Sequence, residues 1–228
     1  MINELLFFLH LLVIINAALG ALWLGKEALI CLIALFAIVS NLFVTKQIML
    51  FGFSATATDS FAIGIVLSLN LLQEYYGKEI TKKAIWVSFA TAIIYTIFSQ
   101  LHLLYMPAIF DTMHPHAVVV FGVMPRIMIA SITTYFIVQR LDCILYEFLK
   151  RHMQGNYLVW RNYCSVLCSQ LLDTVLFSFL GLYGLVESIL PIMVISYCIK
   201  LIAIIVATPF VRFSKKLMEK KSYESISL

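Results

Sequence analysis

Trp160-Arg161-Asn162-Tyr163-Cys164-Ser165-Val166-Leu167-Cys168-Ser169-Gln170-Leu171-Leu172-Asp173-Thr174-Val175-Leu176-Phe177 reads as a helix carrying a polar stripe through an apolar run. Asn162, Ser165, Ser169 and Asp173 recur at steps of three, four and four, so the spacing places them above one another on one face. The run is long enough to span a bilayer, and Asp173 falls near its middle. An ionised side chain at that depth costs about 2.5–3.5 kcal/mol on insertion scales, so it is expected to face a partner or a cavity and not lipid.

The rest of the chain agrees with a membrane setting. Hydrophobic residues make up 62% of the 228 residues, charged residues 12%, and the mean hydropathy is +0.98. A soluble domain carries about 25% charged residues. Apolar runs at Leu5–Leu24, Ala28–Thr45, Ser54–Gln73, Ala84–Met106, Val118–Gln139, Tyr163–Leu185 and Ser188–Val211 predict an all-α, polytopic transmembrane helix bundle of about seven spans. Residues 1–228 are then one membrane domain. Ala17-Ala18-Leu19-Gly20-Ala21 offers small residues for signal cleavage, but the start carries Glu4 and no Lys or Arg, so the first run is read as a span.

All but Lys46, Arg126 and Lys200 of the 16 Lys and Arg fall on one side when the seven spans alternate. The positive-inside rule then puts the N-terminus outside and the C-terminus in the cytoplasm. The net charge of +4 is accounted for by these loop and tail residues, and no nucleic acid partner is expected. Cys31, Cys164, Cys168 and Cys198 lie in apolar runs, with Cys143 just past one. Neither they nor His114 and His116, which flank Pro115 in an expected outer loop, make up a ligand set, so no metal and no cofactor is expected.

Depth singles out the candidate binding residues. At about 1.5 Å per residue, Asp173 lies about 15 Å from the cytoplasmic start of its span and Lys200 about 18 Å from the outer start of the next. Both are near the midplane on consecutive spans, where they can meet. One reading is a salt bridge that locks the two helices. The other is a polar substrate site in which Asp173 is accompanied by Ser169 and Asn162.

A second set, Asn70 and Glu74, shares a face at the inner end of span three, with Lys78 as a pairing partner and Gly77 as a helix terminator. A third lies toward the outside, with Asp59 about five residues into span three and Arg126 after Pro125 on span five. These two either pair as a gate or leave the arginine to snorkel. Asn41 and Thr45 are one turn apart on span two. No histidine is expected at membrane depth to activate a serine, so the chain does not read as an enzyme.

These residues resemble a known family. Asn41-Leu42-Phe43-Val44-Thr45-Lys46, Leu50-Phe51-Gly52-Phe53, Glu74-Tyr75-Tyr76-Gly77-Lys78 and Lys82-Lys83-Ala84-Ile85-Trp86 are similar to the first half of queuosine precursor transporters. Arg126, Ala130-Ser131, Gln139, Asp142, Trp160-Arg161-Asn162, Ser169-Gln170-Leu171-Leu172-Asp173-Thr174, Phe177, Gly181, Lys200 and Pro209 continue that pattern in order. The resemblance implies a bacterial inner-membrane importer of a 7-deazaguanine base such as queuine, preQ0 or preQ1, salvaged for tRNA modification. Carried over by position, Asp173, Gln170, Ser169, Glu74, Arg126, Asn162 and Lys200 become binding or gating residues. The family commonly has Thr-Asp four residues before the glutamate, where this chain has Leu69-Asn70.

A purine-like ligand suits this chemistry, because a carboxylate accepts two hydrogen bonds from a guanine-like edge at once. Asp173 is assigned that edge, Gln170 or Asn162 a complementary amide, and Phe177 or Tyr197 the stacking face. Lys200 would orient Asp173 and keep it ionised. The alternative is the substrate-binding membrane subunit of a multi-subunit vitamin uptake system. Small-residue faces such as Ala130 with Thr134 permit helix association in the bilayer, and so a homodimer.

Overall fold

A computed structural model describes residues 2–56, 58–152, 158–202 and Ser214. Helices α1 (Ile2–Leu24), α2 (Lys26–Phe43), α3 (Asp59–Tyr76), α4 (Lys78–Leu103), α5 (His114–Gly122), α6 (Met124–His152) and α7 (Leu158–Phe177) follow in chain order. A short π-helical segment, Ser178–Leu182, continues α7, and α8 covers Ile189–Ile202. Between α2 and α3 lies an antiparallel hairpin of β1 (Gln47–Leu50) and β2 (Phe53–Thr56).

The protein is thus mostly helical. Among the described residues, Ile2–Leu24, Lys26–Phe43, Lys78–Leu103 and His114–Leu141 are long and apolar enough to cross a membrane, and Leu167–Leu182 and Ile189–Ile202 are shorter apolar helices. Large apolar side chains such as Leu5, Leu9, Leu12, Ile94, Ile97 and Phe98 point outward from α1 and α4. Such surfaces are unstable in water and suited to lipid.

Two of the expected spans differ from the observed helices. The third begins at Asp59 and not at Ser54, because Ser54, Ala55 and Thr56 are taken by β2. Phe51 and Gly52 form the hairpin turn with φ of 51° and 81°, the positive pair that a two-residue reversal needs. The N–H of Phe51 donates to Glu4 Oε1 at 3.1 Å and Asn3 Nδ2 donates to the Met49 carbonyl at 3.0 Å, fastening the hairpin to the start of α1. The fifth span is two helices, α5 and α6, meeting at Val123. Pro125 lacks an N–H and restricts Met124, which favours a new helical start there. His114, Pro115 and His116 accordingly form the first turn of α5 and not a loop.

Gly77 ends α3 as expected, with φ 84°, but its ψ of 169° sends the chain directly into α4. A side chain would strain this corner. The extension after Arg140 is helical through His152, as the apolar pattern indicates.

Three clusters hold the bundle together. Ile15, Ala18, Leu22, Leu29, Ile33, Leu67 and Leu71 join α1, α2 and α3. Leu50 and Ala55 of the hairpin pack with Ile63 of α3 and with Ile195 and Ile199 of α8. Val44, Ile127, Leu182 and Ile192 join the end of α2 to α6, the π-helical segment and α8.

α1, α2 and α3 pack tightly at Gly64, where an added Cβ would lie 2.5 Å from Ile14 Cγ2 and 2.9 Å from Phe36 Cε2. Gly64→Ala is therefore expected to cost about 1–3 kcal/mol through overpacking. Thermal unfolding of the detergent-solubilised variant measures this, and an unchanged midpoint would show that Ile14 and Phe36 move aside freely.

Candidate functional site

Behind the hairpin, between α2, α3, α4, α6, α7 and α8, lies a cavity of about 410 Å³. That is within the range of sites for small organic ligands. Its walls are mostly apolar, which makes the few polar groups informative.

From α7 and the segment after it come Gln170, Asp173, Thr174, Phe177 and Ser178. These recur at i, i+3, i+4, i+7 and i+8, one helical face. The expected stripe is therefore rotated by part of a turn. Ser169 is buried but does not line the cavity, and Gln170 takes its place. The side chains of Asn162 and Ser165 lie outside the described residues.

α8 contributes Ile192, Ser196 and Lys200, each one turn from the next. Lys200 Nζ donates to Asp173 Oδ2 at 2.5 Å and to Thr174 Oγ1 at 3.1 Å. The expected meeting of the two mid-span charges is observed. Thr174 Oγ1 also donates to the Gln170 backbone carbonyl at 2.8 Å, and Gln170 itself lines the cavity. Both partners of the ion pair keep part of their side chains exposed, 19% for Lys200 and 34% for Asp173, so the pair is accessible from the cavity.

α2 brings Ser40 and Asn41, and Asn41 Oδ1 accepts a hydrogen bond from Ser131 Oγ of α6 at 3.1 Å. This bond fixes the amide in the wall. The aromatic lining is Phe177 with Phe89 and Tyr135, whose rings meet edge to face at 4.8 Å. Tyr197 does not line the cavity; its hydroxyl donates to the Leu167 carbonyl at 3.3 Å, and the stacking role assigned to it is withdrawn. Phe89 and Tyr135 escaped the sequence reading because an aromatic in an apolar span carries no mark of which way it faces.

Asp59 is the largest change from expectation. It is 5% exposed, stands in the first turn of α3, and accepts a hydrogen bond from Ser196 Oγ at 3.0 Å. Arg126 is elsewhere: its Nε donates to the Leu180 carbonyl at 3.1 Å and its Nη2 to the Tyr183 carbonyl at 2.6 Å, closing the end of the π-helical segment. Of the two readings, the Asp59–Arg126 gate is replaced by these two separate contacts, and Arg126 does not line the cavity.

Asn70 and Glu74 are exposed on the last turns of α3 and do not line the cavity either. The neighbouring Tyr75 hydroxyl is 2.8 Å from Ser214 Oγ, a contact that joins this end of α3 to the chain beyond α8.

Thr134, 1% exposed, also lines the cavity, and its Oγ1 has no hydrogen-bond partner among the described residues. A buried hydroxyl left in that state costs about 1–3 kcal/mol, so it is a natural contact for a polar ligand atom.

One serine does meet a histidine. Ser60 Oγ is 2.9 Å from His10 Nδ1, which corrects the expectation that no histidine lies at membrane depth. Ser60 is 1% exposed and neither residue lines the cavity, so the pair ties α1 to α3 with no access for a substrate. Among the described residues no three of His, Cys, Asp and Glu come together as metal ligands.

Residues 57–214 match the model of a family described as "Putative vitamin uptake transporter". The chain is 32% identical over 198 residues to a "Probable queuosine precursor transporter" of Bacillus subtilis (strain 168), a match covering 85% of this chain and 86% of that protein. No solved structure matches.

Proposed function

The chain belongs to the vitamin uptake transporter family, and from that premise we propose that it imports a queuosine precursor across a bacterial inner membrane. The cargo is a 7-deazaguanine base, either queuine or its 7-cyano (preQ0) or 7-aminomethyl (preQ1) precursor. The observation that carries this reading is the pairing of Asp173 with Lys200 on the wall of a cavity of small-ligand size.

Asp173 accepts from the ring N–H and the exocyclic amine of the guanine-like edge. Lys200 occupies one side of Oδ2 and orients the carboxylate, while the remaining lone pairs face the ligand. Gln170 supplies an amide beside it. Phe177, Phe89 and Tyr135 offer ring faces and edges to the flat base.

The chain is one membrane domain that crosses seven times, with the N-terminus outside. Support comes from the lopsided distribution of Lys and Arg and from the order of the helices. α3 carries Asp59, Ser60 and Ser68, and it packs between α1, α2 and the hairpin, where these three side chains are buried away from lipid. Association into a homodimer through small-residue helix faces is compatible with this arrangement.

Complementation tests the assignment. In a strain lacking both synthesis and its own importer, this single polypeptide is expected to restore queuosine in tRNA when the right base is supplied. Failure with every one of the three bases would sink the reading. Restoration only when an energising partner is present would favour the role of a capture subunit.

A further inference from the structure

We propose that Asp59 is the site in this cavity for a positive charge carried by the ligand, so that the protein prefers a base bearing a protonated amine. The inference rests on the reading given under Proposed function and names the members of that substrate class that the site favours, the amine-bearing preQ1 and queuine over the nitrile preQ0.

The charge balance is the first observation. Among the described residues, the charged side chains lining the cavity are Asp59, Asp173 and Lys200, two carboxylates and one ammonium. Lys200 is committed to Asp173 and Thr174. Asp59 has no ion-pair partner within 4.0 Å among the described residues, and its direct contact there is the Ser196 hydroxyl. The first turn of α3 gives it the positive end of a helix dipole, which together with one hydroxyl offsets part of the cost of burying it. A buried carboxylate inside a membrane protein otherwise calls for a cation.

Spacing is the second. Ser196 and Lys200 are one turn apart on α8, and each holds one of the two carboxylates. The two residues that hold the carboxylates are therefore about 6 Å apart along that helix. A fused two-ring base can bridge such a gap, with its guanine-like edge at Asp173 and a short substituent on the five-membered ring reaching Asp59. An aminomethyl substituent is protonated at neutral pH and would complete a second charge-assisted contact. A nitrile has neither a charge nor a donor.

The third is the hydroxyl lining. Thr56, Thr58 and Ser196 all border the cavity with Asp59. These groups can take the remaining N–H bonds of an ammonium. Thr56 Oγ1 and Thr58 Oγ1 are 3.0 Å apart and Ser196 Oγ donates to Asp59, so each keeps a lone pair that can still accept.

Equilibrium binding to the purified full-length protein tests this with two probes, the 7-aminomethyl and the 7-cyano base. Wild type is expected to bind the aminomethyl base at least about tenfold more tightly, a charge-assisted contact's worth. In Asp59→Asn that ratio is expected to fall to about one. Acetylating the aminomethyl nitrogen, which removes the charge, should lower wild-type affinity by a similar factor and needs no variant to fold. Equal wild-type affinity for the two bases, or a preference that survives in Asp59→Asn, would overturn the inference and leave the importer reading intact. A wild-type protein that binds neither base would overturn both.

Discussion

Asp173→Asn is expected to weaken binding of the base by about 10- to 100-fold, with uptake falling in step. Hydrogen bonds to a charged group contribute about 1.5–3 kcal/mol, and a factor of ten corresponds to about 1.4 kcal/mol. The substitution is nearly isosteric. Its carbonyl oxygen can still accept from Lys200, so the contact between α7 and α8 survives. What changes is the second oxygen, which becomes an NH2 donor facing the donors of a guanine-like edge. Binding of the base to purified variant, compared with its thermal unfolding, separates the two effects. Normal affinity in a folded Asp173→Asn protein would remove Asp173 from ligand recognition.

Lys200→Met gives the second large effect, and here stability falls first. Removing one partner of a partly buried ion pair leaves the other charge uncompensated, where full burial would cost about 3–5 kcal/mol. The lower end applies, since about a third of the Asp173 side chain is exposed. The double variant Asp173→Leu with Lys200→Met replaces both charges with apolar groups and is expected to regain most of that stability. Buried pairs exchanged for packed apolar residues are often neutral or stabilising. It is also expected to lose binding of the base altogether, although it folds. A double variant that still imports would mean the pair only locks α7 against α8. Together the single and double substitutions decide between a structural and a functional ion pair.

The three carboxylates of interest end in different settings, and only one of those settings follows from sequence. Asp173 and Lys200 are legible as partners because depth along a span is a one-dimensional quantity, and two consecutive helices must pack side by side. Asp59 is not legible in the same way. Its hydrogen bond to Ser196 spans 137 positions, and it depends on the hairpin shifting the start of α3 to Asp59 itself. Glu74 looks as suitable as Asp59 by spacing, yet it stands exposed at the other end of the same helix.

By itself the sequence determined that this is a helical membrane protein, because hydropathy and charge placement act through the bilayer, which every residue meets in the same way. It also determined the family likeness and the pairing of the two mid-span charges. The tertiary structure alone decided which face of each helix turns inward. A rotation of α7 by part of a turn exchanges Ser169 for Gln170 at the cavity wall, and with apolar residues on several sides the helix has no hydrophobic pattern strong enough to set that rotation. Contacts between distant segments fix it, and they place Asp59 beside Ser196, Arg126 on the carbonyls after α7, and Phe89 and Tyr135 around the cavity.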